Sequence, residues 1–463
     1  MILKTIAVRT DIKEYWSSRV AFLFAATGAS VGIGNIWKFP YMTGANGGSA
    51  FVAVYIVCVA FVALPLLIAE LLIGRRAGMG PPVALLINAE LENRSDKWIW
   101  VGWLFMLTGF VILSFFSVVS GWILDYLYTA IVSGFNHANS TSTHDAFASM
   151  LQSPVRMTVA HFSFMSINVL VVCFGLKQGI ERVSGILMPM LLGLLLIMAV
   201  YGFYIGAPMQ ALRFLFHFDL GRITNEVVLM AIGQSFLSVG LCSGMMMMCG
   251  AYLPRNISIP RTAVIIVMTD TLVAILAGLV IFPLVFRYGL QPAQGPGLIF
   301  ETLPIAFGQM PMGHLFGVAF FLLLLFASIT SSVALLEHVV SWLIRSYNYK
   351  RIIASIITGV VAWAVGLLSV VSFNLLADVR PLWFLPGFID KGIFDVMDYL
   401  ATNVLLVFGG FFLAIFGGWM ISKQVALEEL GFQNRAFAQC WYIAIRYISP
   451  LALGLVIISK FWK

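Results

Sequence analysis

Apolar runs near or above the roughly 20 residues that cross a bilayer recur from one end of this chain to the other, with only short segments between them. Backbone polar groups cannot stay unpaired in hydrocarbon, so a chain patterned this way folds as a bundle of membrane-crossing helices. The runs predict eleven spans, near 19–43, 50–74, 98–132, 158–175, 183–205, 228–252, 262–286, 313–344, 352–371, 396–420 and 438–459. With 61% of its 463 residues hydrophobic and 10% charged, the chain lacks the polar surface that a water-soluble protein needs. Membrane lipid is the expected partner of its outer surface.

The net charge of +7 comes without a basic run or a basic patch interleaved with aromatics, so no nucleic acid is expected as a partner. With the N-terminus placed in the cytoplasm, Lys and Arg favour inner over outer loops by roughly two to one, which predicts that orientation and an outer C-terminus. Charged residues precede the first span and no small-residue cleavage site follows it, which argues against a signal peptide. Cys58, Cys173, Cys242, Cys249 and Cys440 have no metal-type spacing and read as reduced packing residues. No pair of histidines sits on one helix face, and no nucleophile stands beside a base, so the chain does not read as an enzyme. His338 beside Glu337 reads as a packed helix-end pair.

No linker or composition shift divides the chain, so one domain over 1–463 is expected. Two spans are interrupted midway by small and polar residues, Gly28 to Asn35 in the first and Ser238 to Gly244 in the sixth. Because each span reverses direction, units of five are related by inversion. Residues 16–205 and 228–420 would then form inverted repeats, with an extra helix at 438–459. A broken helix in lipid costs several kcal/mol per unpaired group, so the freed groups are expected to line a site. Half-helix amides then face an anion and unwound carbonyls face a cation. Close helix packing through small residues is the competing reading of each break by itself.

Several motifs carry a family resemblance. Trp16-Ser17-Ser18-Arg19, Gly28 to Asn35, Ile36-Trp37-Lys38-Phe39-Pro40-Tyr41 and Asn46-Gly47-Gly48 are followed by Pro65, Glu70 and Gly74-Arg75. Further along come Gln234 to Tyr252, Asp270 to Pro283, Gly295-Pro296-Gly297 to Pro311, Thr330-Ser331-Ser332 and Asp395 to Gly410. Together they resemble the neurotransmitter:sodium symporter family, in its shorter, eleven-span bacterial form, over nearly the whole chain. The resemblance implies an all-α polytopic membrane protein with the five-plus-five inverted-repeat, leucine-transporter-type fold, one additional C-terminal helix, and helices 1 and 6 unwound midway. It also implies a multi-pass protein of the bacterial inner membrane that imports a small amino-acid-like solute together with sodium.

Two Na+ sites are implied. The first would use the Ser30 carbonyl, the Asn35 amide, Ser238 and Asp270; the second would use the Gly28, Val31 and Ala327 carbonyls with the Thr330 and Ser331 hydroxyls. Hydroxyls that bond back to their own helix are the ordinary alternative for Thr330 and Ser331. Asp270 lies inside a span, where an ionised carboxylate needs a partner. A bound cation is one, and Lys38 or Arg446 nearer the span ends are others. Many relatives have a neutral Asn there and require chloride, so Asp270 implies chloride independence. Tyr55, Gln234 and Ser238 match other positions of that anion pocket, and Ala274 stands where some members carry Glu or Ser.

The solute's carboxylate would meet the amides of Gly32 and Gly34. Its side chain would lie among Ser30, Ile112, Phe116, Leu237, Ser238, Gly240, Ser243, Ser331 and Leu335, each of which is equally compatible with core packing. Phe116 replaces the Tyr whose hydroxyl usually meets that carboxylate, Leu237 replaces an aromatic lid, and Ser243 a bulkier residue. An amine or a modified amino acid is therefore an alternative substrate, and a non-transporting solute sensor an alternative function. Lys38 and Asp398 are the expected outer gate, Lys13 and Trp16 the inner one. Arg345 stands where the inner acidic partner belongs, which leaves Glu14, Asp11 or the packing of Trp16 and Tyr252 to close it.

Overall fold

The computed structural model describes residues 14–136, 138–291, 297–385 and 387–461, so Lys13 and Asp11 lie outside the described residues. Among these residues all regular structure is helical. Among the described residues nine helices are long and apolar enough to cross a bilayer. They are span 2 (Ser49–Ala77), span 3 (Asp96–Val132), span 4 (Pro154–Cys173), span 5 (Leu176–Ile205), span 7 (Ile259–Arg287), span 8 (Gly313–Tyr347), span 9 (Arg351–Val371), span 10 (Ile393–Met420) and span 11 (Arg435–Ser459). Span 1 is a pair, Arg19–Ser30 and Gly34–Ala45, bent by 53°. Span 6 is also a pair, Asn225–Val239 and Met245–Ala251.

The expected spans are present, and their ends shift by a few residues where capping, invisible to hydropathy, sets the start. Ser18 accepts from the Ala21 amide at 3.1 Å to start span 1. Asn434 accepts from the Ala436 amide at 2.8 Å and starts span 11 ahead of its apolar run. Span 4 begins at Pro154, which needs no amide partner in the first turn. The helices Pro81–Leu91, Ser140–Gln152 and Pro208–Phe216 connect spans and were not expected from the sequence.

The breaks have local causes. Val31 turns extended (φ −72°, ψ 93°), and its amide returns to the Thr27 carbonyl at 2.7 Å, so the first ladder ends there. A Cβ on Gly28 would stand 3.1 Å from Thr330 Cβ and 3.2 Å from Met188 Cγ, so the absent side chain lets this turn lie against spans 8 and 5. In span 6, Gly240, Cys242 and Gly244 have φ of 68°, 59° and 84°. The left-handed conformation costs Cys242 about 1–2 kcal/mol, where glycine would pay little. Glu70, fully buried in span 2, accepts from the Cys242 amide at 3.1 Å and the Met247 amide at 3.3 Å. It thereby satisfies donors at the start of the second half-helix, each of which would cost about 1–3 kcal/mol unpaired.

Spans 3 and 8 pack along each other and flank both breaks. On the side where span 3 ends, Trp122 meets Phe147, Phe300, Phe373 and Phe394 at ring distances of 5.4–5.9 Å. These aromatics join span 3 to the connecting segments and to span 10, and Phe394 presents one edge of the cluster to the central cavity.

Candidate functional site

The two breaks face each other across a cavity of about 330 Å³. Ser30, Gly32 and Gly34 line it from span 1, Ile112 and Phe116 from span 3, Leu237, Ser238, Gly240 and Ser243 from span 6, and Ser331 and Leu335 from span 8. These are the eleven positions carried over as substrate contacts, and sequence distance hides their convergence. Phe115, Val119, Met245, Phe394 and Leu406 also line the cavity and were missed, because an apolar residue on an apolar helix gives no signal of facing a void. Toward one end the wall includes Lys38, Asp395 and Asp398.

Asp270 is fully buried beside this cavity. Its carboxylate accepts from Asn35 Nδ2 at 2.8 Å and from Ser238 Oγ at 2.5 Å, and Ser238 Oγ in turn accepts from the Tyr55 hydroxyl at 3.0 Å. Asn35 Nδ2 also lies 3.1 Å from the Asp270 carbonyl. Among the described residues Asp270 has no ion pair, so neither Lys38 nor Arg446 is its partner. An ionised carboxylate only accepts, so the Asn35 side chain turns its NH2 toward it. Its Oδ1 points the other way and accepts from the Gly32 amide at 3.2 Å. Gln234 Nε2 donates to the Gly34 carbonyl at 3.1 Å.

On the other side of the break, Ser331 Oγ donates to the Gly28 carbonyl at 3.2 Å and lies 3.4 Å from that of Val31. Thr330 Oγ1 bonds back to Phe326 and Ala327, both at 3.1 Å. The intrahelical alternative therefore describes Thr330, whereas Ser331 crosses to span 1. The structure brings Gly28, Val31, Ala327, Thr330 and Ser331 together.

Lys38 and Asp398 form no ion pair among the described residues, although both line the cavity. At the opposite end the chain is tied shut. Trp16 is buried, its Nε1 donates to the Cys249 carbonyl at 3.1 Å, its amide donates to the Tyr252 carbonyl at 3.2 Å, and its ring meets Tyr252 at 5.9 Å. The Tyr252 hydroxyl donates to Glu337 at 2.7 Å. Glu337 takes Arg351 at 2.8 and 3.2 Å, and Arg351 reaches Glu14 at 3.2 Å. Ser17 bonds to Glu181 of span 5.

Arg345 has another role. Its guanidinium donates to the Gly78 carbonyl and lies over the Tyr252 ring at 4.9 Å, so it caps the end of span 2 and packs on the closed side. His338 is not paired with Glu337, contrary to the sequence expectation. Successive residues on a helix point about 100° apart, and His338 Nε2 lies 3.5 Å from the Met106 carbonyl of span 3.

The family model described as "Sodium:neurotransmitter symporter family" matches residues 13–155 and 146–463. The chain belongs to that family. It is 35% identical to the "Uncharacterized sodium-dependent transporter YhdH" of Bacillus subtilis strain 168, over 96% of this chain and 97% of the relative. An "Uncharacterized sodium-dependent transporter" of Haemophilus influenzae is 29% identical, over 97% of this chain and 98% of the relative. Among solved structures, MhsT in complex with L-phenylalanine aligns with a TM-score of 0.88 and 37% identity, covering 97% of this chain and all of that one. The fold is therefore the all-helical transporter fold of MhsT, with the sodium:neurotransmitter symporter motifs placed at both breaks.

Tyr252→Phe should loosen the tied end. A hydrogen bond to a charged acceptor contributes about 1.5–3 kcal/mol, so losing the bond from the Tyr252 hydroxyl to Glu337 should favour the opened state by at least about tenfold. The reporter is Cys249, buried just beneath Trp16, in a background with Cys58, Cys173, Cys242 and Cys440 replaced. Its rate of labelling by a maleimide should rise by that factor in Tyr252→Phe, and an unchanged rate would remove the Tyr252 bond to Glu337 from the closure.

Proposed function

We propose that the protein is a sodium-coupled secondary symporter that imports a small amino-acid-like solute by alternating access, with solute and Na+ bound where spans 1 and 6 are broken. The observation that carries the reading is Ser331, a span 8 hydroxyl held against the Gly28 and Val31 carbonyls of span 1. Carbonyl and hydroxyl oxygens from two helices are the hard ligands a sodium ion takes. Gly28, Val31, Ala327, Thr330 and Ser331 form one proposed Na+ site; Ser30, Asn35, Ser238 and Asp270 form the other. Residues 16–205 and 228–420 are the proposed inverted repeats.

Asn35 links ion and solute in this reading. With its NH2 on Asp270, its oxygen occupies the Gly32 amide. A cation between Asp270 and Ser238 repels that NH2 and attracts Oδ1, so the side chain turns over and releases the Gly32 amide. A freed amide at a half-helix start is then available to the solute's carboxylate. Ion binding prepares solute binding, and only interactions that differ between two states can couple them.

The wall supports one solute class over another. Ile112, Phe115, Phe116, Leu237, Met245 and Leu335 present an apolar surface to the cavity, which suits a bulky hydrophobic side chain. Phe116 offers no hydroxyl to a carboxylate. The alternative of an amine or modified amino acid rests on that residue. The Gly32 and Gly34 backbone and the proposed cation beside Asp270 favour a zwitterion.

In reconstituted vesicles, Thr330→Ala with Ser331→Ala should abolish sodium-stimulated uptake of the bound amino acid while the protein still assembles. Undiminished sodium stimulation rejects this cation site. Exchange of chloride for gluconate should leave uptake by the unmodified protein unchanged, because the Asp270 carboxylate supplies the negative charge beside the proposed cation. Asp270→Asn should impair uptake or make it depend on chloride. Phe116→Tyr should tighten α-amino acids by about tenfold, from a charged hydrogen bond near the lower end of about 1.5–3 kcal/mol, and leave decarboxylated analogues unaffected. Equal gains for both classes, read by thermal-shift titration, would make Phe116 a packing residue only.

A further inference from the structure

Arg446 lies within span 11 on the lipid-facing side and has no acidic partner among the described residues. Its guanidinium stacks at 4.2 Å on Trp419, the residue before the last of span 10, and lies 5.6 Å from the Tyr442 ring and 5.7 Å from that of Tyr447. It donates to the Tyr442 hydroxyl one turn back, so the side chain runs toward the span's N-terminal end, as a snorkelling arginine does. Its Nε is buried beneath the rings without a hydrogen-bond partner.

Lys423, exposed on the helix that follows span 10, places its Nζ 5.0 Å from the same Tyr442 ring. Two cations thus converge on one tyrosine at the membrane boundary. The acids nearby are engaged elsewhere: Glu429 with Arg75, Glu92 with Arg76 and the Ser422 amide, and Glu428 with Gln424. Trp419 and Tyr447 are 46% and 51% exposed, which places amphipathic rings at headgroup level on either side of the pair.

We propose that Arg446 and Lys423, framed by Trp419, Tyr442 and Tyr447, bind the phosphate of an anionic phospholipid at the boundary of spans 10 and 11. A guanidinium with no acidic partner among the described residues and a neighbouring ammonium match a phosphodiester, and the flanking rings match the glycerol and upper acyl chain. A lipid rather than free phosphate is the occupant, because the apolar frame faces the bilayer and the arginine reaches the phosphate from the hydrocarbon side. The site lies on the face that carries the tied end of the cavity, since Arg75 joins Glu429 to the Ile257 carbonyl there. The inference stands apart from the transport reading.

The test uses full-length protein in detergent, titrated with phosphatidylglycerol, phosphatidylcholine or inorganic phosphate. Phosphatidylglycerol should raise the midpoint of thermal unfolding and appear as a retained adduct in native mass spectra. Phosphatidylcholine and inorganic phosphate should do neither. Arg446→Gln with Lys423→Gln should lose one retained lipid and most of the thermal increment. If the double variant does not assemble, Lys423→Gln alone, at an exposed position, should reduce the increment. Equal shifts with both lipids, an increment unchanged in the variants, or a shift reproduced by inorganic phosphate would each overturn the proposal.

Discussion

A helix interrupted inside a bundle leaves amides and carbonyls that neither lipid nor bulk water can take up, so each must find a partner in the protein. Four polar side chains answer that demand here. Glu70 takes the Cys242 and Met247 amides, Asn35 the Gly32 amide, Gln234 the Gly34 carbonyl, and Ser331 the Gly28 carbonyl. They come from spans 2, 1, 6 and 8, so both breaks are held by the elements around them. Asn35 and Ser331, two of the groups that keep the breaks from being a defect, also line the cavity, and Gln234 bonds to a third lining residue, Gly34. Architecture and site draw on the same residues.

Much of this was legible in the sequence because lipid simplifies the reading. Apolar runs mark spans without the ambiguity of an amphipathic pattern, and the small-residue clusters at Gly28–Asn35 and Ser238–Gly244 mark where the runs cease to be helical. Caps and connecting helices were not legible. Pro81–Leu91 is a buried apolar helix too short to stand out beside its neighbours. The tied end was legible in part. Trp16, Tyr252 and Glu14 were expected there and take part in it, whereas the acid that joins them is Glu337, two turns before Arg345 on span 8, and its cation Arg351 opens span 9. A contact between helices that meet only in three dimensions leaves no mark in the spacing.

The two ends of the cavity are built differently. Toward Lys38 and Asp398 the opposed charges line an open wall and form no ion pair among the described residues, while the Trp16 end is sealed by an edge-to-face ring contact, backbone bonds and a four-member polar network. The structure is thus the form in which the cavity is continuous with the Lys38 side and closed beneath Trp16. Arg345 fits this form without being a gate charge: its bond to Gly78 is a helix-end cap, and its place over Tyr252 adds a cation–π contact to the seal.

Which of these contacts must break for the closed end to open can be argued from what each one joins. In the proposed alternating access the broken spans 1 and 6 move against spans 5, 8 and 9; Glu337 and Arg351 lie on spans 8 and 9, so their ion pair survives the motion and serves to orient both partners. Trp16 to Tyr252 joins spans 1 and 6, which move together in that scheme, and also survives. The contacts of the closed end that cross the boundary are Tyr252 to Glu337, Glu14 to Arg351, Ser17 to Glu181 and the Arg345 guanidinium over the Tyr252 ring. Glu14 is 41% exposed, so its pair with Arg351 contributes at most about 1 kcal/mol after screening. The buried Tyr252 bond to a charged acceptor contributes more, about 1.5–3 kcal/mol. A latch of a few kcal/mol is of the size that ligands can oppose, because a ligand shifts a two-state balance only by its differential affinity for the two states. Had the family's usual N-terminal cation met an acid at position 345, the crossing bonds would have included a second ion pair. With Arg345 there, the weight of closure passes to Tyr252, and through it to the Glu337 carboxylate that Arg351 holds in place.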